Sequence, residues 1–170
     1  MSEFKRVHAE ELTADFVKKI GGEWALLTAT KPDGSYNTMT VSWGGVGVLW
    51  NRPVCFLFVR PQRYTYEFTE AEGSITLSFF DKEHKDKLAF CGKASGRDVD
   101  KAKACGLTPT RAEGYTFFTE AREVLALKKL YADDLKEESF LTESIPAAIY
   151  EKKDYHKMYI CEIIAAVRAV

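Results

Sequence analysis

The stretch WALLTATKPDGSYNTMTVSW (24–43) has the clearest structural pattern in this chain of 170 residues. Its first part, Trp24–Thr30, is apolar and rich in strand-forming residues, and KPDGS (31–35) is a strong turn signal. The chain then returns as a second strand over Tyr36–Trp43. Two strands joined by such a turn form a hairpin, so the stretch predicts antiparallel β-structure.

Hydroxyl groups alternate along the second strand of this hairpin. Successive strand residues point to opposite sides of a sheet. One side carries hydroxyl groups: Thr38, Thr40 and Ser42. The other side is apolar: Met39, Val41 and Trp43. One face can therefore hydrogen-bond a ligand while the other packs. The same hydroxyls also suit a solvent-facing edge strand, where threonine is common because it is β-branched.

Further elements follow from the spacing of apolar residues and turn signals. Additional strands are predicted at Val54–Arg60, Ser74–Phe80, Tyr115–Thr119, Val124–Tyr131 and Met158–Val167. Helices are predicted at Ala9–Ile20, Arg63–Glu72, Lys82–Phe90 and Val99–Cys105. Glycines punctuate the pattern: Gly21 and Gly22 are expected to end the first helix, and Gly44, Gly45 and Gly47 to interrupt the strands. The continuous apolar run in Val54–Arg60 predicts a strand buried on both faces.

Strands joined by hairpins and interrupted by short helices favour a mainly β barrel with helical insertions. No G-x-G-x-x-G motif opens a helix, which argues against a dinucleotide-binding Rossmann fold. The length favours a single domain over residues 1–170.

Charge and composition exclude several classes of function. A net charge of −1 gives no electrostatic reason to expect nucleic acid or an anionic membrane as partner. The N-terminus lacks the apolar core of a signal peptide, and the uncharged run Thr38–Trp50 is glycine-broken and too short to span a bilayer. We therefore expect a cytoplasmic protein. Four cysteines without a C-x-x-C motif are expected to be buried free thiols, with no metal site.

Two arginines flank a proline turn and suit a phosphate. Arg60 and Arg63 can present forked guanidinium groups, and Thr65 adds a hydroxyl. The alternative is that the arginines form surface ion pairs and Thr65 caps the following helix. Together with the hydroxyl face and the glycines, this spacing suits a phosphorylated, flat, aromatic cofactor such as flavin mononucleotide (FMN).

Two other groups of residues leave similar alternatives open. Ser95 and Asp98 could cap the helix at Val99–Cys105, and a helix start also attracts phosphate. Trp43 and Phe79 could be core aromatics, or one of them could pack against a flavin edge.

Several motifs together resemble the flavin reductase-like proteins of the FMN-binding split barrel, and among them the flavoredoxin-type branch. They are N-x-M-T-x-S-W (37–43), R-P-x-R-Y-T (60–65), S-F-F (78–80), G-x-x-S-G-R-D-x-D-K (92–101) and G-L-T (106–108). The resemblance covers about Trp24 to Glu162. It implies a Greek-key-like split barrel and an FMN site at a homodimer interface.

The resemblance also implies a set of cofactor-binding residues. They are Asn37, Thr38, Met39, Thr40, Val41, Ser42, Trp43, Arg60, Arg63, Tyr64, Thr65, Ser78, Phe79, Phe80, Ser95, Gly96 and Lys101. A terminal D-x-H (154–156), followed by Tyr159 and Glu162, resembles the ending of NADH-dependent flavin reductases and makes His156 a candidate on the nicotinamide side. Lys153 and Cys161 depart from that pattern, because glycine is common at both positions.

Three functions fit this reading. The protein either reduces flavin with NADH or NADPH, or acts as a flavoredoxin that exchanges electrons with a redox partner protein. The third is a non-catalytic flavin-binding protein with a structural or partner-binding role. No side chain is expected to serve as catalytic acid or base, because the cofactor carries the electron chemistry.

Overall fold

A computed structural model describes residues 4–12, 15–71 and 73–170 of the chain. One antiparallel sheet of eight strands forms its body. These strands are β1 (Phe4–Val7), β2 (Ala25–Thr30), β3 (Tyr36–Val41), β4 (Gly44–Leu49), β5 (Arg52–Val59), β6 (Ser74–Phe79), β9 (Glu123–Asp134) and β10 (Lys157–Ala169). A separate hairpin is formed by β7 (Pro109–Ala112) and β8 (Tyr115–Phe118).

Short helices connect the strands. The α-helices are α1 (Tyr64–Glu70), α2 (Lys85–Lys93), α3 (Lys101–Cys105) and α4 (Ser144–Ile149). Short 3-10 helices occur at Ala9–Glu11, Lys82–His84 and Glu137–Ser139, and a π-helix at Val17–Glu23. The predicted mainly β architecture with helical insertions is confirmed. Within the described ranges, no helix has both the length and the apolar character that a membrane crossing needs.

The sheet order is β3-β2-β6-β9-β10-β5-β4, with β1 also paired to β10. The predicted hairpin is present as β2 and β3, with Ala25 opposite Val41. The long strand β10 pairs with β5 over its first half and with β1 over its last residues. Since β3 stands at one end of this order, one of its edges pairs with no other strand in the part of the chain that the structure describes.

Two hydrophobic clusters cover the two faces of the sheet. Leu26 belongs to one and Leu27 to the other, because neighbouring strand residues point to opposite faces. All of β2 is buried. The expectation that Val54–Arg60 is buried on both faces is wrong, since β5 alternates and leaves Phe56 and Phe58 partly exposed. Among the described strands, β4 alone lies beyond β5, at the edge of the sheet.

The predicted helix at Ala9–Ile20 is the main error in the element assignment. Its residues 13 and 14 lie outside the described residues, and the rest forms a 3-10 turn and the π-helix Val17–Glu23. Gly21 and Gly22 therefore lie within a helix and do not end it. At the start of the π-helix, the Asp15 carboxylate accepts a hydrogen bond from the backbone of Lys18, and the Asp15 carbonyl accepts one from the backbone of Lys19.

Other differences are smaller. The glycines at 44, 45 and 47 form β4 and do not interrupt the sheet. Gly44 has φ of +142°, and a Cβ there would lie 2.5 Å from the Phe56 carbonyl oxygen, so the close approach of β4 to β5 needs glycine. Glu72, the last residue of the helix predicted from Arg63, lies outside the described residues. The strands β1 and β7 were not predicted.

Candidate functional site

A cleft of about 230 Å³ opens where β3 and β5 end. Its walls are Met39, Thr40, Val41, Ser42, Trp43, Phe58, Arg60, Arg63 and His156. The structure thus brings together the end of β3, the end of β5, the residue before α1 and the residue before β10. Eight of these nine residues were predicted site residues, although they come from three distant parts of the sequence.

The two arginines of the cleft differ in their partners. Arg60 Nη1 lies 2.6 Å from Asp154 Oδ2, and Arg60 Nη2 donates to the Ile149 carbonyl at 3.1 Å. Arg60 thus forms an ion pair, as the alternative expected, and it also lines the cleft. Arg63 differs, because its Nη2 is buried and has no hydrogen-bond partner within the described residues. Buried guanidinium nitrogens are normally satisfied, so this atom marks a place for an acceptor.

Positive charge accumulates behind the cleft wall. Burial, and then the neighbouring charge of Arg60, lower the pKa of Arg63. Burial, and then the charge of Arg63, lower the pKa of Lys101 to about 8. Lys101 does not line the cleft, since its Nζ donates to the carbonyls of Thr38 and Cys91, each at 2.9 Å. An anion in the cleft would stabilise both cations.

Three predicted residues form a layer behind Arg63. The Asn37 side chain donates from Nδ2 to Thr65 Oγ1 at 2.8 Å, which joins β3 to α1. Gly96 packs directly on the same amide, because a Cβ there would lie 2.0 Å from Asn37 Oδ1. Thr65 does not cap α1, whose N-cap is Arg63. These residues position the cleft wall and do not face the cleft.

The hydroxyl face of β3 is covered by α2. Thr28 donates to Thr38 Oγ1, and Thr38 donates to the Leu27 carbonyl, both at 3.1 Å. Thr40 Oγ1 donates to the carbonyl of Leu88 in α2. The expected division into a ligand face and a packed face is therefore wrong for Thr38. The cleft lies instead along the free edge and the end of β3.

His156 joins the cleft at its far side. Its Nδ1 lies 2.7 Å from the Tyr150 hydroxyl, and its ring centroid is 5.0 Å from that of Trp43. Burial, and then the charge of Arg60, lower the pKa of His156 to about 4, against the opposing effect of Asp154. The imidazole is therefore neutral near pH 7. Trp43 is 46% exposed and is not a core aromatic.

The remaining predicted residues lie away from the cleft. Ser78, Phe79 and Phe80 are buried on β6 and just beyond it, and Phe79 packs against Phe16. Tyr64 packs on Phe68. Ser95 accepts a hydrogen bond from the backbone of Arg97, and the cap of α3 is Asp100 instead of Ser95 or Asp98. Tyr159 and Glu162 also point elsewhere, to Glu70 and Arg52.

Two residues of the site were missed. Phe58 lines the cleft beside Arg60, and the two share a face because they are two positions apart on an extended segment. That spacing was a usable signal. Tyr150 holds His156, but it lies in the irregular segment around α4, where no periodicity pointed to it.

The fold and this cleft can be compared with known proteins. A family profile described as "Flavin reductase like domain" matches residues 17–134, which is more than half of the chain. The chain belongs to the flavin reductase-like family. That membership supports a flavin-related oxidoreductase. No curated protein sequence matches the chain significantly.

Solved structures of this family share the fold. An FMN-binding domain of a flavin reductase-like enzyme from Shewanella baltica superposes with a TM-score of 0.69 at 17% identity, covering 99% of this chain and 78% of that one. The flavoredoxin of Desulfovibrio vulgaris superposes with a TM-score of 0.66 at 21% sequence identity, covering 86% of this chain and 69% of that one. The styrene monooxygenase flavin reductase of Pseudomonas putida superposes with a TM-score of 0.61 at 17% sequence identity, covering 85% of this chain and 77% of that one. The predicted split-barrel fold is confirmed.

Proposed function

We propose that this chain binds FMN in the cleft, with the phosphate at Arg63, and works as an NAD(P)H-dependent flavin oxidoreductase. The observation that carries the proposal is the buried Arg63 Nη2, which has no acceptor among the described residues and belongs to a cleft residue. A guanidinium forms forked, charge-assisted bonds with phosphate oxygens. The positive charge of Lys101 behind the wall adds to the attraction.

The other cleft residues suit a flat aromatic ring. Met39, Phe58 and Trp43 provide apolar and aromatic surface. The unpaired edge of β3 offers backbone groups near Thr40 to Trp43 that can hydrogen-bond ring carbonyls and nitrogens. Bound FMN would supply hydride and electron transfer with NADH or NADPH. The protein's own task is then to hold, orient and shield the ring.

His156 is proposed to face the nicotinamide side. The Tyr150 hydroxyl fixes its ring through Nδ1, and the low pKa keeps it uncharged. A neutral imidazole beside Trp43 can pack or donate one hydrogen bond without repelling a positively charged oxidised nicotinamide. We assign it no proton transfer.

We also propose that the protein is a homodimer whose second copy completes the cleft. A cleft of about 230 Å³ is smaller than the range of about 300–1,000 Å³ usual for ligand pockets. Several large apolar side chains on and beside β4 and on β9 are also exposed: Trp43, Val48, Trp50, Leu130 and Tyr131. Two of them, Trp50 and Tyr131, have ring centroids 6.4 Å apart, and exposed apolar surface of this kind is typical of an interface. A cytoplasmic location belongs to the same proposal.

The reductase and flavoredoxin variants differ in how electrons arrive. A visible absorption spectrum of the freshly purified protein, loaded with FMN if needed, is followed anaerobically while NADH and then NADPH are added. Bleaching of bound flavin by either nucleotide supports the oxidoreductase and identifies its donor. A yellow protein that resists both nucleotides but is reduced by dithionite indicates a carrier that needs a redox partner, or a structural flavin.

A colourless protein that takes up no added FMN would contradict the proposal. Gel filtration of the loaded protein tests the dimer in the same preparation. FMN-loaded protein that elutes as a monomer would overturn the claim that a second copy completes the cleft, while leaving FMN binding intact.

A further inference from the structure

Two of the four cysteines meet between α2 and α3. Cys91 Sγ and Cys105 Sγ are 3.8 Å apart, although the residues are separated by a loop and belong to different helices. A disulfide has an S–S length of about 2.05 Å, so the sulfurs need to approach by only about 1.8 Å. Both side chains already point at each other.

The two thiols differ in accessibility. Cys91 is fully buried, whereas Cys105, the last residue of α3, is partly exposed. Burial raises the pKa of Cys91 to about 12, so that thiol stays protonated. Cys105 is therefore the sulfur that an oxidant in solution meets first, and Cys91 is within reach to resolve the product.

The other two cysteines provide a control inside the same chain. Cys55 and Cys161 lie directly opposite each other on β5 and β10. Both have no exposed surface. An oxidant has no access to either sulfur in the folded protein. Proximity across the two strands would therefore predict a bridge between Cys55 and Cys161, whereas accessibility predicts none.

We propose that Cys91 and Cys105 are a reversible redox site that a hydroperoxide converts into a disulfide. The Cys105 thiolate attacks a peroxide oxygen, the O–O bond breaks, and the leaving hydroxide takes up a proton as water. Cys91 then attacks the resulting sulfenic sulfur, which forms the S–S bond and releases a second water with the Cys91 proton. Two electrons pass from the sulfurs to one molecule of hydrogen peroxide.

The position of this site connects it to the back of the cleft. Lys101, the first residue of α3, donates to the carbonyl of Cys91 and to that of Thr38 in β3. A bridge between the ends of α2 and α3 would close the loop that contains Gly96. The proposal does not depend on FMN binding, and its test uses the protein without cofactor.

The test counts thiols and locates the bridge. The full chain is reduced, freed of reductant and treated with a small molar excess of hydrogen peroxide. The peroxide is then removed, and the protein is unfolded in urea so that buried thiols can react, alkylated, and digested with trypsin without reduction. Alkylatable thiols should fall from the four in the sequence to two. The tryptic peptides Leu88–Lys93 and Ala104–Arg111 should appear as one linked species. Dithiothreitol should restore all four thiols.

Two variants separate the pairs. Cys105→Ser should lose no thiol on peroxide treatment, whereas Cys55→Ala should still lose two. Retention of all four thiols in the wild-type protein would overturn the proposal. So would a bridge between Cys55 and Cys161, a bridge between two chains, or sulfinic acid at Cys105 without a bridge. The wild-type measurement decides the matter even if a variant fails to fold.

Discussion

Replacing Arg63 with alanine tests the phosphate site directly. Its Nη2 is buried without an acceptor in the described part of the chain, so a phosphate oxygen placed there gains a charge-assisted hydrogen bond. Such a bond contributes about 1.5–3 kcal/mol. At about 1.4 kcal/mol per tenfold change in Kd, Arg63→Ala should weaken FMN binding about 10- to 150-fold.

The assay is quenching of flavin fluorescence, measured in parallel with FMN and riboflavin. Riboflavin lacks the phosphate, so its affinity should not respond to Arg63→Ala. Arg52→Ala is the matched control, because it removes the same charge from an exposed guanidinium that pairs with Glu162 at 2.8 Å. An FMN affinity within about twofold of wild type would refute the reasoning. Equal losses for FMN and riboflavin would show that Arg63 shapes the cleft without holding phosphate.

Three further predictions concern the surroundings of the cleft. Gly96→Ala places a Cβ 2.0 Å from Asn37 Oδ1, so the free energy of unfolding, measured in urea, should fall by about 1–3 kcal/mol. Gly21→Ala is the control, because the added Cβ meets no atom within 4 Å and should cause no such fall. His156 has its pKa lowered to about 4, so its contribution to stability is present above about pH 6.5 and is lost towards pH 4. The free energy of unfolding in urea should therefore fall by about 2–3 kcal/mol between pH 6.5 and about pH 4, and by less in His156→Gln. An equal fall in both proteins would contradict the prediction. The pKa of Lys101 is about 8, and a bound anion would raise it, so FMN binding at about pH 8.5 should be accompanied by proton uptake. Calorimetry in two buffers with different ionisation enthalpies would show that uptake. Riboflavin binding should show none.

The barrel and much of the cleft were predictable because their signals are local. The hairpin of β2 and β3 follows from strand propensity and one turn, and the arginines flank a proline that fixes their spacing. The cleft assembles them because β4, which begins just after β3, pairs with the end of β5 and places Gly44 opposite Leu57. Phe58 could have been added by the same two-residue spacing that placed Arg60.

The errors arise where tertiary packing decides. Thr38 has the right residue type and face for a ligand, but α2 covers that face and its hydroxyl bonds to Leu27. Phe79 matches a family motif, yet β6 lies two strands away from β3, in the core. The pattern along one strand cannot show which helix covers it. Likewise, the spacing of Cys91 and Cys105 gave no sign that two helices bring their sulfurs together.

A crystal structure of the protein loaded with FMN would show directly where the phosphate lies. We expect the phosphate within hydrogen-bond distance of Arg63 Nη2, and the ring along the free edge of β3 between Trp43 and Phe58. Flavin bound elsewhere on the barrel would show that this cleft is not the FMN site. Flavin in the cleft with its phosphate turned away from Arg63 would show that Arg63 does not hold the phosphate.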